Sequence, residues 1–299
     1  MPPLINVPVK RGSTGFAYAD YQIIDTPGGG GRDMLFNGQE FITIGGGATY
    51  SSSCWSSDGI SWSSGTQNSM NGLTGIATNG SIYVGLSSGK IYSSPTGKGA
   101  SWTLRYTHTD TGGINAVAWN GSIFCAVGSS GRVFTSSNGT SWSYVGTPLG
   151  GATHYSIEAK GNTFYAGSAF CSVNKSTNGA VWTNVNNFGS VAIYGIAFGE
   201  ADTCAVVGND NLRVYSSDNF INEIKQTTSS VYQLKDVVWD GEYFIGVGKS
   251  TTNAVLVKTK NGVSWDLTIL PINDTFNAGA VSSNRIVFTS NSRAIVISK

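Results

Sequence analysis

Ser137-Asn138-Gly139-Thr140-Ser141-Trp142 is one copy of a phrase that returns along the chain. The others are Ser57-Asp58-Gly59-Ile60-Ser61-Trp62, Gly99-Ala100-Ser101-Trp102, Thr177-Asn178-Gly179-Ala180-Val181-Trp182 and Lys260-Asn261-Gly262-Val263-Ser264-Trp265. The first four tryptophans stand 40 residues apart. A further step of 40 reaches Asn222, behind the degraded copy Ser216-Ser217-Asp218-Asn219-Phe220, and one of 43 reaches Trp265. A period of this length marks a repeat architecture before any element is assigned.

A second phrase interleaves with the first. Asn37-Gly38, Asn79-Gly80, Asn120-Gly121, Lys160-Gly161 and Asp240-Gly241 each precede a β-rich run such as Ser81-Ile82-Tyr83-Val84-Gly85, and Glu200-Ala201 and Ser283-Asn284 fall in phase. That makes seven units. Asn-Gly and Asp-Gly suit two-residue hairpins with both central residues at positive φ. Each unit then reads strand, Gly turn, strand, short loop, strand, second Gly turn, Trp-led strand. Four antiparallel strands per repeat is a propeller blade, and seven of them predict an all-β, seven-bladed β-propeller.

The ends predict how the ring closes. The last unit stops at Ala294-Ile295-Val296-Ile297-Ser298-Lys299, its third strand. Elsewhere the tryptophan precedes the next hairpin by 17 or 18 residues, and that count back from Asn37 lands on Ala19 or Asp20. Tyr21-Gln22-Ile23-Ile24-Asp25 is therefore expected to complete the last blade and leave no open ring edge. Residues 1–15 read as an N-terminal arm, 16–299 as one propeller, and Thr26-Pro27-Gly28-Gly29-Gly30-Gly31 as a short link within the ring.

Composition agrees with many tight turns: 40 glycines, 12% charged and 40% hydrophobic residues. A net charge of +1 gives no footprint for nucleic acid or an anionic membrane. No apolar run approaches the roughly 18 residues of a membrane span. The N-terminus lacks the features of a signal peptide, so synthesis and folding in a cytoplasm are expected. Cys54, Cys125, Cys171 and Cys204 form no CxxC pair and read as buried free thiols, and two histidines are too few for an imidazole zinc site. No metal or cofactor is expected.

The [Asp/Asn]-Gly-x-[Ser/Thr]-Trp phrase resembles the Asp-box (sialidase-type repeat) propellers, and is similar to propeller modules of bacteriophage tail and virion proteins. The family's usual Asp sits two residues before the Gly; here that place holds Ser57, Ser137 or Thr177, with Asp58, Asn138 or Asn178 one place later. The resemblance implies a structural role for the boxes, with Asx fixing the turn and Trp packing between blades. It does not bring sialidase chemistry. Arg11, Arg32, Arg105, Arg132, Arg213, Arg285 and Arg293 lack the context of the family's arginine triad. Nor does a GxSxG elbow, phosphate loop or HExxH motif occur. The chain is expected not to be an enzyme.

Both kinds of Gly turn fall on one face of such a ring, and they are short and alike. The loops of the other face differ from blade to blade, which is where function concentrates. Candidate ligand-binding residues there are Tyr106, His108, Asp110, His154, Tyr155, Phe170, Tyr194, Asn209, Asp210, Tyr232, Asn253 and Asn273. Aromatic rings flanked by amides and carboxylates suit sugars, whose C–H faces stack while their hydroxyls bond. The two histidines, on adjacent inter-blade loops, are candidates for a pH-sensitive or metal patch.

The expected function is a virion structural or adhesion protein, a phage tail, fibre or capsid-surface module located in the virion. Its partners would be a host surface glycan or another virion protein, the latter through the arm. A bacterial glycan-binding lectin and a protein-binding assembly scaffold are the alternatives.

Overall fold

The computed structural model describes residues 21–27, 31–46, 52–66, 72–110, 112–226 and 232–299. The expected N-terminal arm lies outside the described residues. Seven four-stranded antiparallel sheets follow one another along the chain. Blade one comprises Asp33–Phe36, Phe41–Gly46, Ser52–Ser56 and Ser63–Thr66, and blade three comprises Ile114–Trp119, Phe124–Gly128, Val133–Ser136 and Ser143–Gly146. The first strands of successive blades stand side by side around the ring axis, from Asp33–Phe36 through to Ala278–Val281. The protein is an all-β, seven-bladed propeller. Among the described residues no helix is long and apolar enough to cross a membrane.

Ring closure is as the repeat count requires. Tyr21–Asp25 pairs antiparallel with Arg293–Ser298, register Tyr21 to Ile297 and Asp25 to Arg293, and becomes the outer strand of blade seven. Each apolar cluster fills the space between two neighbouring blades. One joins Val84, Leu86 and Ile91 of blade two to Ile114, Phe124 and Phe134 of blade three, with Trp142 packed against it. Burial thus couples each blade to the next, which is what holds a ring of otherwise separate sheets together.

The inner hairpins differ from the type I′ expectation. Gly38, Gly80, Gly121 and Gly241 take positive φ, but the Asx residue before each does not. It acts through its side chain: Asn120 Oδ1 accepts from the N–H groups of Ser122 and Ile123, and Asp240 Oδ1 from Glu242 and Tyr243. The Asx group replaces a backbone turn, so a four-residue connection suffices. Lys160-Gly161, which lacks that oxygen, closes a tighter loop with Lys160 paired to Thr163.

The outer turns work as a unit of three side chains. Ser136 Oγ accepts from Gly139 N–H at 2.8 Å, Asn138 Oδ1 from Thr140 and Ser141, and Trp142 Nε1 donates to Gly139 O. Ser176, Asn178, Gly179 and Trp182 repeat it. Gly139 has φ +71°, and a Cβ there would meet Ile82 and Phe124 at 3.0 and 3.1 Å, so the turn also packs against blade two. In blade five the turn has the same length, but its serine is bonded one residue further along. Ser216 Oγ receives the N–H of Phe220, which takes φ +70° where other copies have Gly. The Phe220 ring enters the blade four–five core beside Tyr165, Phe188 and Phe198. Phe220 thus fills the core position that Asn222 leaves without an indole.

Candidate functional site

The seven inner strands enclose a cavity of about 880 Å³ on the ring axis. What lines it follows from an irregularity repeated in four blades. In blades three to six the pairing of the first and second strands slips by one residue, at Asn115, Tyr155, Tyr194 and Lys235. A β-bulge leaves its extra residue unpaired and re-aims the side chain. All four line the cavity.

Each stands five residues ahead of the residue that opens its inner hairpin: Asn120, Lys160, Gly199 or Asp240. The same offset in blades one, two and seven gives Arg32, Thr74 and Asn277, which also line the cavity. Two residues further along each strand the repeat is almost uniform, with Met34, Ile76, Val117, Ile157, Ile196 and Val237 all buried. A position held apolar by packing thus lies beside one that carries Arg, Thr, Asn, Tyr, Tyr, Lys and Asn. The variable set sits at the end of the strands away from the Gly turns, forming the cavity mouth on the variable-loop face.

Within the mouth, Tyr155 and Tyr194 lie with ring centroids 5.4 Å apart, tilted by 56°. Lys235 Nζ stands 4.3 Å from the centroid of Tyr194, extending the row to a third blade. Burial, with Tyr155 and Asp210 adding to it, holds the Tyr194 phenol above its usual range. Asn115 Nδ2 donates to His154 O across to blade four, at 2.8 Å.

Three carboxylates lie deeper. Asp33 accepts from Met34 and, across the blade boundary, from Ile76 N–H, each at 2.8 Å. Asp236 repeats this with Val237 and Gly279, 43 residues on in both cases. At this position the other blades carry only Gly75, Ala116, Ser156, Gly195 and Ala278. These two aspartates therefore staple inner strands together. Desolvation raises both, Asp33 to about 6 and Asp236 well above the ordinary carboxylate range, against the hydrogen bonds that favour the charge. Glu158 lines the channel and its side chain is exposed to it. Desolvation first, and Asp33 second, push it up to about 7, while the Ala159 N–H it accepts works the other way.

The residues singled out from sequence separate into groups. Tyr155 and Tyr194 form the mouth, and Asn209 and Asp210 stand beside Tyr194 on the one-turn segment Asn209–Asn211. Phe170 projects from the hairpin loop of blade four, 62% exposed. Tyr106, His108 and Asp110 come together elsewhere, at the outer edge of blades two and three: the His108 ring lies 5.2 Å from Phe134 and 4.8 Å from Tyr144, and its Nε2 is 3.3 Å from Asp110. Tyr232 packs on the blade five–six core, Asn253 donates to Leu270 O and fixes its own loop, and Asn273 lies exposed outside the cavity.

His154 differs from the expectation of a loop residue. It opens the inner strand His154–Lys160 and has no exposed surface. Desolvation lowers it to about 4, so it is neutral at pH 7, and its ring nitrogens face Ala152 O and Asn174. A patch shared with His108 does not form. The four cysteines are buried free thiols, as expected, and burial pushes Cys54 and Cys204 up to about 12.

Arg32, Asn115, Lys235, Asn277 and Glu158 were not singled out from sequence. A signal existed: aligning the units on the hairpin Asx shows one column in which every other blade-to-blade constraint relaxes.

A family model described as the DUF6242 beta propeller domain matches residues 105–235. Comparison with curated proteins returns no match. Among solved structures, the WD40 β-propeller domain of Doa1 superposes with TM-score 0.74 at 13% identity, over 93% of this chain and 97% of that one. YCF48 bound to D1 peptide gives 0.72 at 12%, over 93% and 97%. The RRP9 WD40 repeats give 0.70 at 10%, over 94% and 98%. At these identities the likeness is one of fold: the chain is a β-propeller that shares its architecture with proteins of very different sequence.

Proposed function

We propose that the protein is a non-enzymatic binding module, a virion surface or tail component that holds a host glycan at the mouth of its central channel. The observation that carries this is the Tyr155–Tyr194 pair on adjacent blades, continued by Lys235. Two tilted rings 5.4 Å apart at a cavity rim offer apolar faces for the C–H surfaces of successive sugar residues. The Asn209 amide beside them and the phenol hydroxyls supply hydrogen bonds for ring hydroxyls.

The non-enzymatic reading rests on how the channel carboxylates are used. Glycoside hydrolysis takes two carboxylates aimed at one bond. Asp33 and Asp236 direct both oxygens to backbone N–H groups and act as inter-blade staples. The Ser/Thr-x-Asx-Gly turn with its Trp is read as a variant Asp-box, in which a serine takes up the Gly N–H and the Asx receives the next two amides. Low charge, the Gly/Ser/Thr/Asn composition and the Pro-rich segment 2–11, read as an assembly tether, favour a virion component. A protein partner is the second reading, favoured by a solved propeller of this fold that is described as bound to a peptide.

Labelled protein applied to bacterial surfaces and a glycan array tests the reading, with a Tyr155→Ala/Tyr194→Ala variant beside it. Specific binding that the variant loses supports a glycan site at the mouth. A folded protein that binds no surface or glycan overturns it in favour of a protein partner. Deleting residues 1–12 is expected to abolish incorporation into particles while leaving the melting temperature in place; unchanged incorporation removes the tether.

A further inference from the structure

We propose that the glycan held at the channel mouth is acidic, its carboxylate read by Lys235. This rests on the glycan reading above and narrows it to uronic-acid-bearing saccharides.

Lys235 is the bulged residue of the inner strand Gln233–Trp239, so its backbone is unpaired at that point and its side chain is delivered to the cavity. Its ammonium lies over the face of Tyr194 at 4.3 Å. Among the described residues it forms no ion pair; the carboxylates that do pair with a lysine, Glu40, Asp202 and Glu242, are on the hairpin turns of the other face. The acids of the channel are engaged elsewhere. Asp33 and Asp236 bond two amides each, and Glu158 accepts from Ala159. Burial accordingly depresses Lys235, with no neighbouring charge to offset it.

A partly desolvated ammonium held only by an aromatic face is an incomplete arrangement: cation–π attraction recovers part of the lost hydration, and an anion recovers the rest. The position is also one that tolerates neutral residues, since Thr74, Asn115 and Asn277 occupy it in other blades. A lysine here answers to something other than the packing of the ring. One point charge matches a monoanion, and the tyrosine pair beside it fits a sugar ring. A sugar carrying a carboxylate at C5 presents both groups at once. Arg32, which also lines the cavity, adds charge of the same sign.

The test uses the full chain and matched ligands that differ only in charge: oligogalacturonate and its methyl ester, and alginate oligosaccharides and their esters, titrated by calorimetry. The acid forms are expected to bind about 10- to 100-fold more tightly than the esters, the span of one hydrogen bond to a charged group. Lys235→Met should erase that preference while retaining the affinity for the esters, and Lys235→Arg should largely keep it. Equal affinity for acid and ester overturns the proposal and leaves the glycan reading standing. A preference for the acid that survives in Lys235→Met overturns the role of Lys235. Binding to no saccharide, acid or neutral, overturns both. Should Lys235→Met melt well below the wild type, the acid–ester comparison on the wild-type protein decides the matter alone.

Discussion

Asp33 sets two opposed effects against each other, and pH separates them. Its carboxylate accepts two backbone N–H bonds at 2.8 Å, one of which ties blade one to blade two. The wall of the channel nevertheless desolvates it, and the balance raises it from 3.8 to about 6. The folded state thus holds the proton more tightly than the unfolded chain. Between pH 3.8 and 6 the folded protein binds more protons, so this group's contribution to stability declines as pH rises and is at its lowest above 6. At about 1.4 kcal/mol per unit, and with allowance for channel water, the change is on the order of 1–3 kcal/mol. A pH scan of the wild type alone does not isolate it. His154, lowered to about 4, acts in an overlapping window with the opposite sign, since the unfolded chain takes up its proton first as pH falls. Asp33→Asn gives the needed difference. The variant loses the ionisation, keeps one acceptor, and sets an amide N–H₂ against an N–H donor at a constant cost of about 1–3 kcal/mol. The wild type should therefore lead the variant most at pH 4.5, and by about 2–5 °C less at pH 8, for a chain of this length. Thermal unfolding followed by circular dichroism on both proteins reads the gap. A lead that widens with pH would show that the two hydrogen bonds outweigh desolvation, and would refute the reasoning.

Other outcomes follow from the same geometry. Phe220→Ala empties the space that a tryptophan fills in other copies and should cost about 3–5 kcal/mol in chemical denaturation; a loss under 1 kcal/mol would show that the blade four–five core does not depend on this ring. Gly139→Ala, at φ +71° with Ile82 and Phe124 in the way, should cost about 1–3 kcal/mol, whereas Gly121→Ala, with open space around it, should cost less; equal losses would show that strain alone decides. Deleting residues 1–25 strips the outer strand from blade seven and leaves Arg293–Ser298 as an open edge, so the melt should fall sharply or the protein aggregate, and an unchanged melt would contradict closure by Tyr21–Asp25. Tyr155→Ala/Tyr194→Ala, by contrast, alters only the mouth and should shift the melt by no more than about 2 °C, as surface changes do.

What the sequence makes legible here is whatever a single unit decides for itself. The Gly turns, the spacing of the tryptophans and the length of each unit are local, and they lead directly to seven blades and to Tyr21–Asp25 as the closing strand. The place of the Asn120 turn is legible but its geometry is not, because an Asx oxygen bonding two amides and a type I′ turn leave the same Asn-Gly signature. His154 was misplaced by a related ambiguity. A strand that begins one residue before a bulge looks like the end of a loop, since the pairing slips at Tyr155 and the alternation of buried and exposed residues breaks just after it, at Ser156 and Ile157. The same bulge that hid His154 in the core turns Tyr155 into the channel.

That coupling explains why five of the seven mouth positions are invisible loop by loop. Lys235, Asn115 and Arg32 do not stand on variable loops. They occupy one column of the repeat, Lys235 and Asn115 within an inner strand and Arg32 one residue ahead of one, and their common address appears only when the ring is closed. In a solenoid the seven side chains would lie in a row along the outside. Closing the ring brings them to a single rim, where Tyr155, Tyr194 and Lys235 become neighbours although 39 and 41 residues separate them. The bulge costs each blade one backbone pair, and four successive blades carry it. Packing alone gives no reason for those four to place an amide, two phenols and an ammonium at the lost pair. The proposed ligand, read by several blades at once, would supply one.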